Sequence, residues 1–132
     1  MKKFAIIVSK FNDMITDQML KKCIEGFNEQ GIEPDIYKVP GAFEIPIMAQ
    51  EIIKNKDIKV IVALGVVIKG ETEHFEMICN ACTNGINKVA LKYHAPIVFE
   101  VIMTDSYKKA EERIEKAFHA AYVATEMARL IS

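Results

Sequence analysis

A glycine, a threonine and a histidine stand at every second position in Gly70, Thr72 and His74, directly before a helical pattern of apolar residues. The first backbone N–H groups of a helix have no partner within the helix and lie at the positive end of its dipole, so an anion can bind there. The segment is not a complete P-loop motif, and Thr72 could equally be an ordinary helix cap. The spacing alone leaves an anion pocket and a capping threonine as equal alternatives.

His74 falls in the first turn of that predicted helix. An imidazole titrates near neutral pH and can both accept and donate a proton. A lone histidine is more often a surface or capping residue, but this one follows a predicted strand and adjoins the candidate anion pocket. We therefore interpret Gly65–His74 as a catalytic loop with His74 as its acid and base. His94 and His119 have no such setting and are interpreted as structural residues.

Two kinds of apolar pattern alternate along the chain and predict its elements. Short apolar runs predict strands at Phe4–Val8, Asp35–Val39, Lys59–Leu64 and Ile97–Met103. Helical spacing after each run predicts helices around Met19–Phe27, Ile45–Ile53, His74–Tyr93 and Tyr107–Leu130. Strict alternation implies a single domain, residues 1–132, in which helices cover both faces of a four-stranded parallel sheet. This is a three-layer α/β/α sandwich.

Ligands of such sheets bind at the carboxyl ends of the strands. That rule selects Ser9–Asn12, Val39–Glu44, Gly65–His74 and Thr104–Ser106. Phe11 could stack there on a planar ring, or it could cover the first helix. Glu44 could bind hydroxyl groups, or it could stabilise the next helix from its first turn.

The composition limits the class of protein. A net charge of −1 over 132 residues gives no dense basic surface, so we expect no nucleic-acid binding. We expect no membrane span, because no apolar run is long enough. Three cysteines, an odd number, favour a reducing cytoplasm. Cys79 and Cys82 lie one helical turn apart with no second pair of ligands, so we interpret them as core residues and expect no metal site.

Four motifs occur in order along nearly the whole chain: Ser9–Asn12, Val39–Pro46, Ala63–Phe75 and Pro96–Phe99. Together they resemble the lumazine synthase family. The resemblance implies a flavodoxin-like fold and a transferase of riboflavin biosynthesis. Such an enzyme condenses two small molecules, 5-amino-6-(D-ribitylamino)uracil and 3,4-dihydroxy-2-butanone 4-phosphate, into 6,7-dimethyl-8-ribityllumazine. The family uses no metal or organic cofactor.

The resemblance also assigns roles to individual residues. For the ribitylaminouracil, it implies that Phe11 stacks on the ring. The ribityl chain would be bound by Ala42, Phe43 and Glu44. The pyrimidine pocket would be lined by Val66, Val67 and Ile68. For the butanone phosphate, it implies backbone contacts from Glu71 and Thr72, while His74 moves protons. Phe99 would close the ring pocket and Arg113 would pair with the phosphate, both from a neighbouring subunit. A homopentamer follows, and whether pentamers build a sixty-subunit shell stays open.

The chain departs from the common family pattern at several positions, and Lys10 stands where arginine is frequent. The Glu71 carboxylate lies in the phosphate loop and has to point away from the substrate. Glu100 replaces a frequent glycine. Lys116, one turn after Arg113, either substitutes for a missing phosphate lysine or forms a surface ion pair. Two further interpretations are an archaeal-type riboflavin synthase, against which His74 speaks, and a non-catalytic lumazine- or flavin-binding relative.

Overall fold

The computed structural model describes residues 3–131. One parallel sheet has the strand order β2-β1-β3-β4. Its strands are β1 (Lys3–Ser9), β2 (Asp35–Val39), β3 (Ile58–Ile68) and β4 (Ile97–Thr104). The central pair, β1 and β3, is apolar almost throughout because helices cover both of its faces.

The helices form a layer on each face of the sheet. They are α1 (Asp13–Asn28), α2 (Ile45–Asn55), α3 (Phe75–Tyr93), α4 (Tyr107–Glu111) and α5 (Lys116–Ile131), with a 3-10 turn at Ala42–Glu44. One apolar core joins the sheet to α1, α4 and α5, and a second joins it to α2 and α3. Successive residues of β3 alternate between the cores, as Leu64 and Ala63 do. The predicted three-layer α/β/α sandwich is confirmed.

Two helical glycines allow the helices within each layer to approach closely. A Cβ atom at Gly26 of α1 would lie 2.5 Å from the backbone oxygen of Phe118 in α5. A Cβ atom at Gly85 of α3 would lie 2.7 Å from Cγ of Pro46 in α2. Side chains at these positions would push the helices apart.

The predicted end of the third strand at Leu64 was wrong. β3 continues to Ile68, and its last four residues pair with β4 from Gly65↔Val101 to Ile68↔Thr104. Gly65 therefore lies inside the strand, and its missing side chain makes room for β1, since a Cβ atom there would come within 2.7 Å of the Ser9 hydroxyl oxygen. The loop after β3 therefore begins at Lys69 rather than at Gly65.

The single helix predicted for Tyr107–Leu130 was also wrong. α4 ends at Glu111 and α5 begins at Lys116. Between them the backbone makes hydrogen bonds over three residues, from Arg113 N–H to Ala110 O and from Lys116 N–H to Arg113 O. This tighter winding places Arg113 in a turn, not inside a helix.

The cysteines match their structural interpretation. Cys79 and Cys82 of α3 belong to the core beneath α2 and α3, and Cys23 of α1 belongs to the other core. All three thiols are free. Within residues 3–131, no helix is long and apolar enough to cross a membrane, and no group of side chains could hold a metal ion.

Candidate active site

A cavity of about 380 Å3 opens at the carboxyl edge of the sheet, among the loops that follow β1, β2 and β3. Nine of the predicted site residues line it: Phe11, Ala42, Phe43, Glu44, Val66, Val67, Ile68, Glu71 and Thr72. Pro40, Gly41 and Ile78 line it as well. The sequence had indicated the first two only as part of a motif and Ile78 only as a core residue of α3.

The loop after β1 presents an aromatic ring to this cavity. Two backbone hydrogen bonds tie the loop to the one after β2, from Lys10 N–H to Val39 O at 2.8 Å and from Phe11 N–H to Pro40 O at 3.2 Å. Phe11 is 55% exposed and lines the cavity. An exposed ring beside a cavity is free to stack on a planar ligand.

Asn12 begins α1 in the left-handed backbone conformation, with φ 63°. Its carbonyl oxygen accepts hydrogen bonds from the backbone N–H groups of Ile15 and Thr16. The buried Asn12 Nδ2 and Ser9 Oγ have no hydrogen-bond partner within the described part of the chain. Buried polar atoms are rarely left unpaired, and strained backbone often marks functional sites. No local sequence pattern points to these two side chains beyond their place in a motif.

Glu44 holds the loop after β2 in shape. Its Oε1 accepts a hydrogen bond from the Gly41 N–H at 2.8 Å, which closes the 3-10 turn. One of the two alternatives for Glu44, stabilising the start of the next helical segment, is therefore present. The second carboxylate oxygen is still able to accept from a ligand hydroxyl.

The loop between β3 and α3 is a tight turn joined to β4. The Lys69 N–H donates to Thr104 O at 2.8 Å, and the Glu71 N–H donates to Ile68 O at 3.2 Å. Gly70 has φ +96°, a conformation that side chains other than glycine rarely adopt. The turn directs the chain from the end of β3 into α3 beside the cavity.

Thr72 and His74 form the start of α3. The Thr72 hydroxyl accepts a hydrogen bond from the His74 N–H at 3.3 Å, and His74 is itself the N-cap residue, so Thr72 orders the turn before α3 rather than capping the helix. His74 is the exposed residue that precedes the first helical residue, and its carbonyl accepts from Ile78 N–H. The N–H groups of Phe75, Glu76 and Met77 precede the first intrahelical bond and remain available to an anion.

Phe99 and Arg113 do not line the cavity. In β4 the C=O groups of Pro96 and Thr104 accept from β3, so the backbone groups of even-numbered residues face β3 and those of odd-numbered residues face outward. Arg113 Nη1 donates to Met103 O at 3.5 Å, which places this guanidinium at the outer edge of β4. Phe99 is 38% exposed on the same strand. Both residues therefore lie across β4 from the cavity of their own chain.

A second groove, of about 540 Å3, runs between β4 and α5. Phe99, Glu100, Lys116 and His119 are among its lining residues. Burial raises the pKa of the Glu100 carboxyl, and the nearby Lys116 ammonium acts in the opposite direction. Among the described residues no salt bridge joins Lys116 to Glu100, so this charge interaction acts at longer range than a direct ion pair.

The cysteines are poor candidates for a nucleophile. Burial raises the pKa of Cys23 and of Cys82 to about 12, and it also raises the pKa of Cys79. The thiolate, not the thiol, is the reactive form. Among the groups that can transfer protons, the carboxylates of Glu44 and Glu71 line the cavity, whereas His74, two residues after Thr72 at the start of α3, does not line it in this chain.

Comparison with known proteins assigns the chain to a family. A family model described as 6,7-dimethyl-8-ribityllumazine synthase matches residues 1–132. The chain belongs to the 6,7-dimethyl-8-ribityllumazine synthase family. Lumazine synthases are transferases of riboflavin biosynthesis, so the chain is an enzyme of that class.

Individual lumazine synthases are similar over nearly the full chain. The protein from Thermococcus onnurineus is 39% identical over 132 residues, which cover 96% of this chain and 87% of that protein. The protein from Desulfosudis oleivorans is 39% identical over 138 residues, which cover 98% and 88%. A solved flavodoxin from the domain Archaea has a TM-score of 0.43 and 9% identity, covering 92% of this chain and 99% of that one. The fold assignment rests on the strand order and layers described above.

Proposed function

We propose that this lumazine synthase condenses 5-amino-6-(D-ribitylamino)uracil with 3,4-dihydroxy-2-butanone 4-phosphate in the cavity at the carboxyl edge of the sheet. The observation that supports this most directly is the grouping of nine predicted substrate-binding residues around one cavity. The pyrimidine would stack on Phe11 against Val66–Ile68, and the ribityl chain would lie along Ala42–Glu44. A cavity of about 380 Å3 suits a ligand of this size.

The butanone phosphate would bind at the start of α3. Backbone N–H groups there and the positive end of the helix dipole favour a phosphate. Glu71 and Thr72 line this part of the cavity, but the Glu71 N–H already donates to Ile68 O. The Thr72 hydroxyl accepts from the His74 N–H and can still donate its own proton to the phosphate.

His74 would transfer the protons. Imine formation, phosphate elimination and ring closure all need a group that accepts and donates protons near neutral pH. His74 stands two residues after Thr72, at the same end of α3 as the proposed phosphate position. The reaction needs no metal or organic cofactor.

The active site would be completed by a second copy of the chain. Phe99 and Arg113 lie at the outer edge of β4, where they cannot reach the cavity of their own chain but can face that of a neighbour. Copies that meet edge to cavity form a ring, and a homopentamer is the ring we propose. The three free thiols suit a reducing cytoplasm.

Mixing the purified protein with both substrates tests the proposed reaction. We expect the absorbance of 6,7-dimethyl-8-ribityllumazine to appear faster than in the same mixture without protein. Equal rates would refute the proposed reaction. The molecular mass in solution tests the assembly separately, because a monomeric protein with full activity would contradict the shared site.

A further inference from the structure

Glu100 is a carboxylate at an apolar position of the sheet. It pairs with Leu64 of β3, and its neighbours on the same face of β4 are Val98 and Ile102. Leu64, Val98 and Ile102 all contact the core beneath α1 and α5. Burial raises the pKa of Glu100, so its ionised form is disfavoured at this position. A residue that is unfavourable for stability calls for another role.

Glu100 and Lys116, which carry opposite charges, both line the groove between β4 and α5. Lys116 is the first residue of α5, and its ammonium favours the ionised form of Glu100. Their attraction therefore acts between the middle of β4 and the beginning of α5. His119, one turn further along α5, lines the same groove.

The two segments that this attraction joins carry the residues assigned to the neighbouring active site. Phe99 directly precedes Glu100, and its side chain points to the opposite face of the strand. Arg113 lies three residues before Lys116, and its carbonyl accepts from the Lys116 N–H at 3.1 Å. The hydrogen bond from Arg113 Nη1 to Met103 O is 3.5 Å long and fixes the guanidinium only weakly.

We propose that Glu100 is a positioning residue that acts with Lys116 to hold the start of α5 against β4, and so sets the placement of Arg113 relative to Phe99 at the outer edge. This inference rests on the proposed function, since it concerns the substrate phosphate that Arg113 would meet in an adjoining copy. Glu100 itself touches no substrate.

The substitution Glu100→Gln keeps the shape of the side chain and removes its charge. We expect the KM for 3,4-dihydroxy-2-butanone 4-phosphate to rise about fivefold. This is the loss of affinity expected when the contribution of one partly exposed charge pair is removed. We expect kcat to change less than about twofold, because the proton-transfer residues are untouched. The thermal unfolding temperature should stay level or rise, because an unfavourable buried charge is gone.

The double variant Glu100→Lys with Lys116→Glu restores the pair with reversed signs. It should return the KM for the phosphate substrate towards the wild-type value, while Glu100→Lys alone should raise it. Glu126→Gln on the exposed side of α5 is the matched control and should leave both KM values unchanged.

Three results would overturn the positioning role. One is an unchanged KM in Glu100→Gln, and another is a lowered unfolding temperature that accompanies the loss of affinity, since that is the signature of a purely structural residue. The third is a charge-reversed pair that folds and binds the phosphate substrate no better than Glu100→Lys alone. An inactive wild-type protein would instead refute the proposed function, and with it this inference.

Discussion

Two impaired variants of this enzyme should partly restore each other's activity when they assemble together. Arg113→Ala removes the guanidinium at the outer edge of β4 and leaves the cavity of its own chain intact. His74→Ala removes the proposed acid and base at the start of α3 and leaves the outer edge of β4 intact. If each active site combines the cavity of one copy with the edge of another, a mixed ring contains sites in which both residues are present.

The size of the effect follows from the contacts. Arg113 makes one long hydrogen bond, to Met103 O, so its removal should affect binding of phosphate far more than folding. A hydrogen bond between charged groups contributes about 1.5–3 kcal/mol, so the KM for the phosphate substrate should rise about 10- to 100-fold in Arg113→Ala. In a random mixture of equal amounts, about a quarter of the sites pair an intact cavity with an intact edge.

The assay uses co-expression of the two variants with different affinity tags and purification over both tags. The rate of lumazine formation is measured at a phosphate-substrate concentration well below the KM of Arg113→Ala. We expect the mixed protein to exceed the mean of the two separate variants and to approach about a quarter of the wild-type rate. Arg113→Ala carrying both tags is the control and should show no gain.

A mixed protein whose rate equals the mean of its two components would refute the shared site. It would mean that Arg113 and His74 of one chain act in the same active site. That result would disagree with the position of Arg113 across β4 from the cavity of its own chain. Separate mass measurements on the mixture establish that mixed assemblies were present in the sample.

Further predictions concern catalysis, pH dependence and packing. In steady-state kinetics, His74→Ala should lower kcat by about tenfold or more and change both KM values less. Some activity should remain, because positioning of the substrates alone accelerates the condensation. Equal effects on kcat and KM would contradict the proton-transfer role. Because burial raises the pKa of Glu100, the folded state holds that proton more tightly than the unfolded state, so ionisation lowers the free energy of unfolding as pH rises. Glu100→Gln should accordingly be more stable than wild type at about pH 7 and gain less at about pH 4 in urea unfolding, and an opposite trend would refute the assignment. Gly26→Ala should lower the free energy of unfolding by about 1–3 kcal/mol, because the close Phe118 backbone has to move and this outweighs the better helix propensity of alanine; a stabilised variant in the same measurement would show that α1 and α5 can separate freely.

The sequence was most informative where a single local pattern decides the structure. β2 has the predicted bounds Asp35–Val39, and α3 begins within one residue of the predicted start at His74. The spacing of apolar residues that defines each of these elements lies entirely within the element's own segment of the chain. Nine site residues could be grouped because the carboxyl ends of parallel strands meet at one edge.

The sequence was least informative where the deciding contact lies far along the chain. Gly65 was interpreted as the start of a loop, but it is a strand residue whose missing side chain makes room for the Ser9 hydroxyl. The break before α5 depends on three-residue hydrogen bonds that the apolar pattern does not encode, since Ala110, Ile114 and Ala117 keep helical spacing across it. The interaction of Glu100 with Lys116 likewise joins two elements that no local pattern connects.

The alternating backbone of β4 divides its amide hydrogens into two populations. The N–H groups of Val98, Glu100 and Ile102 face β3, and opening them requires separating the two strands. Those of Phe99 and Val101 face the outer edge and are protected from exchange with solvent only when something covers that edge. Deuterium uptake along one strand should therefore alternate from residue to residue in a dilute sample. It should become more even as the protein concentration rises and copies associate.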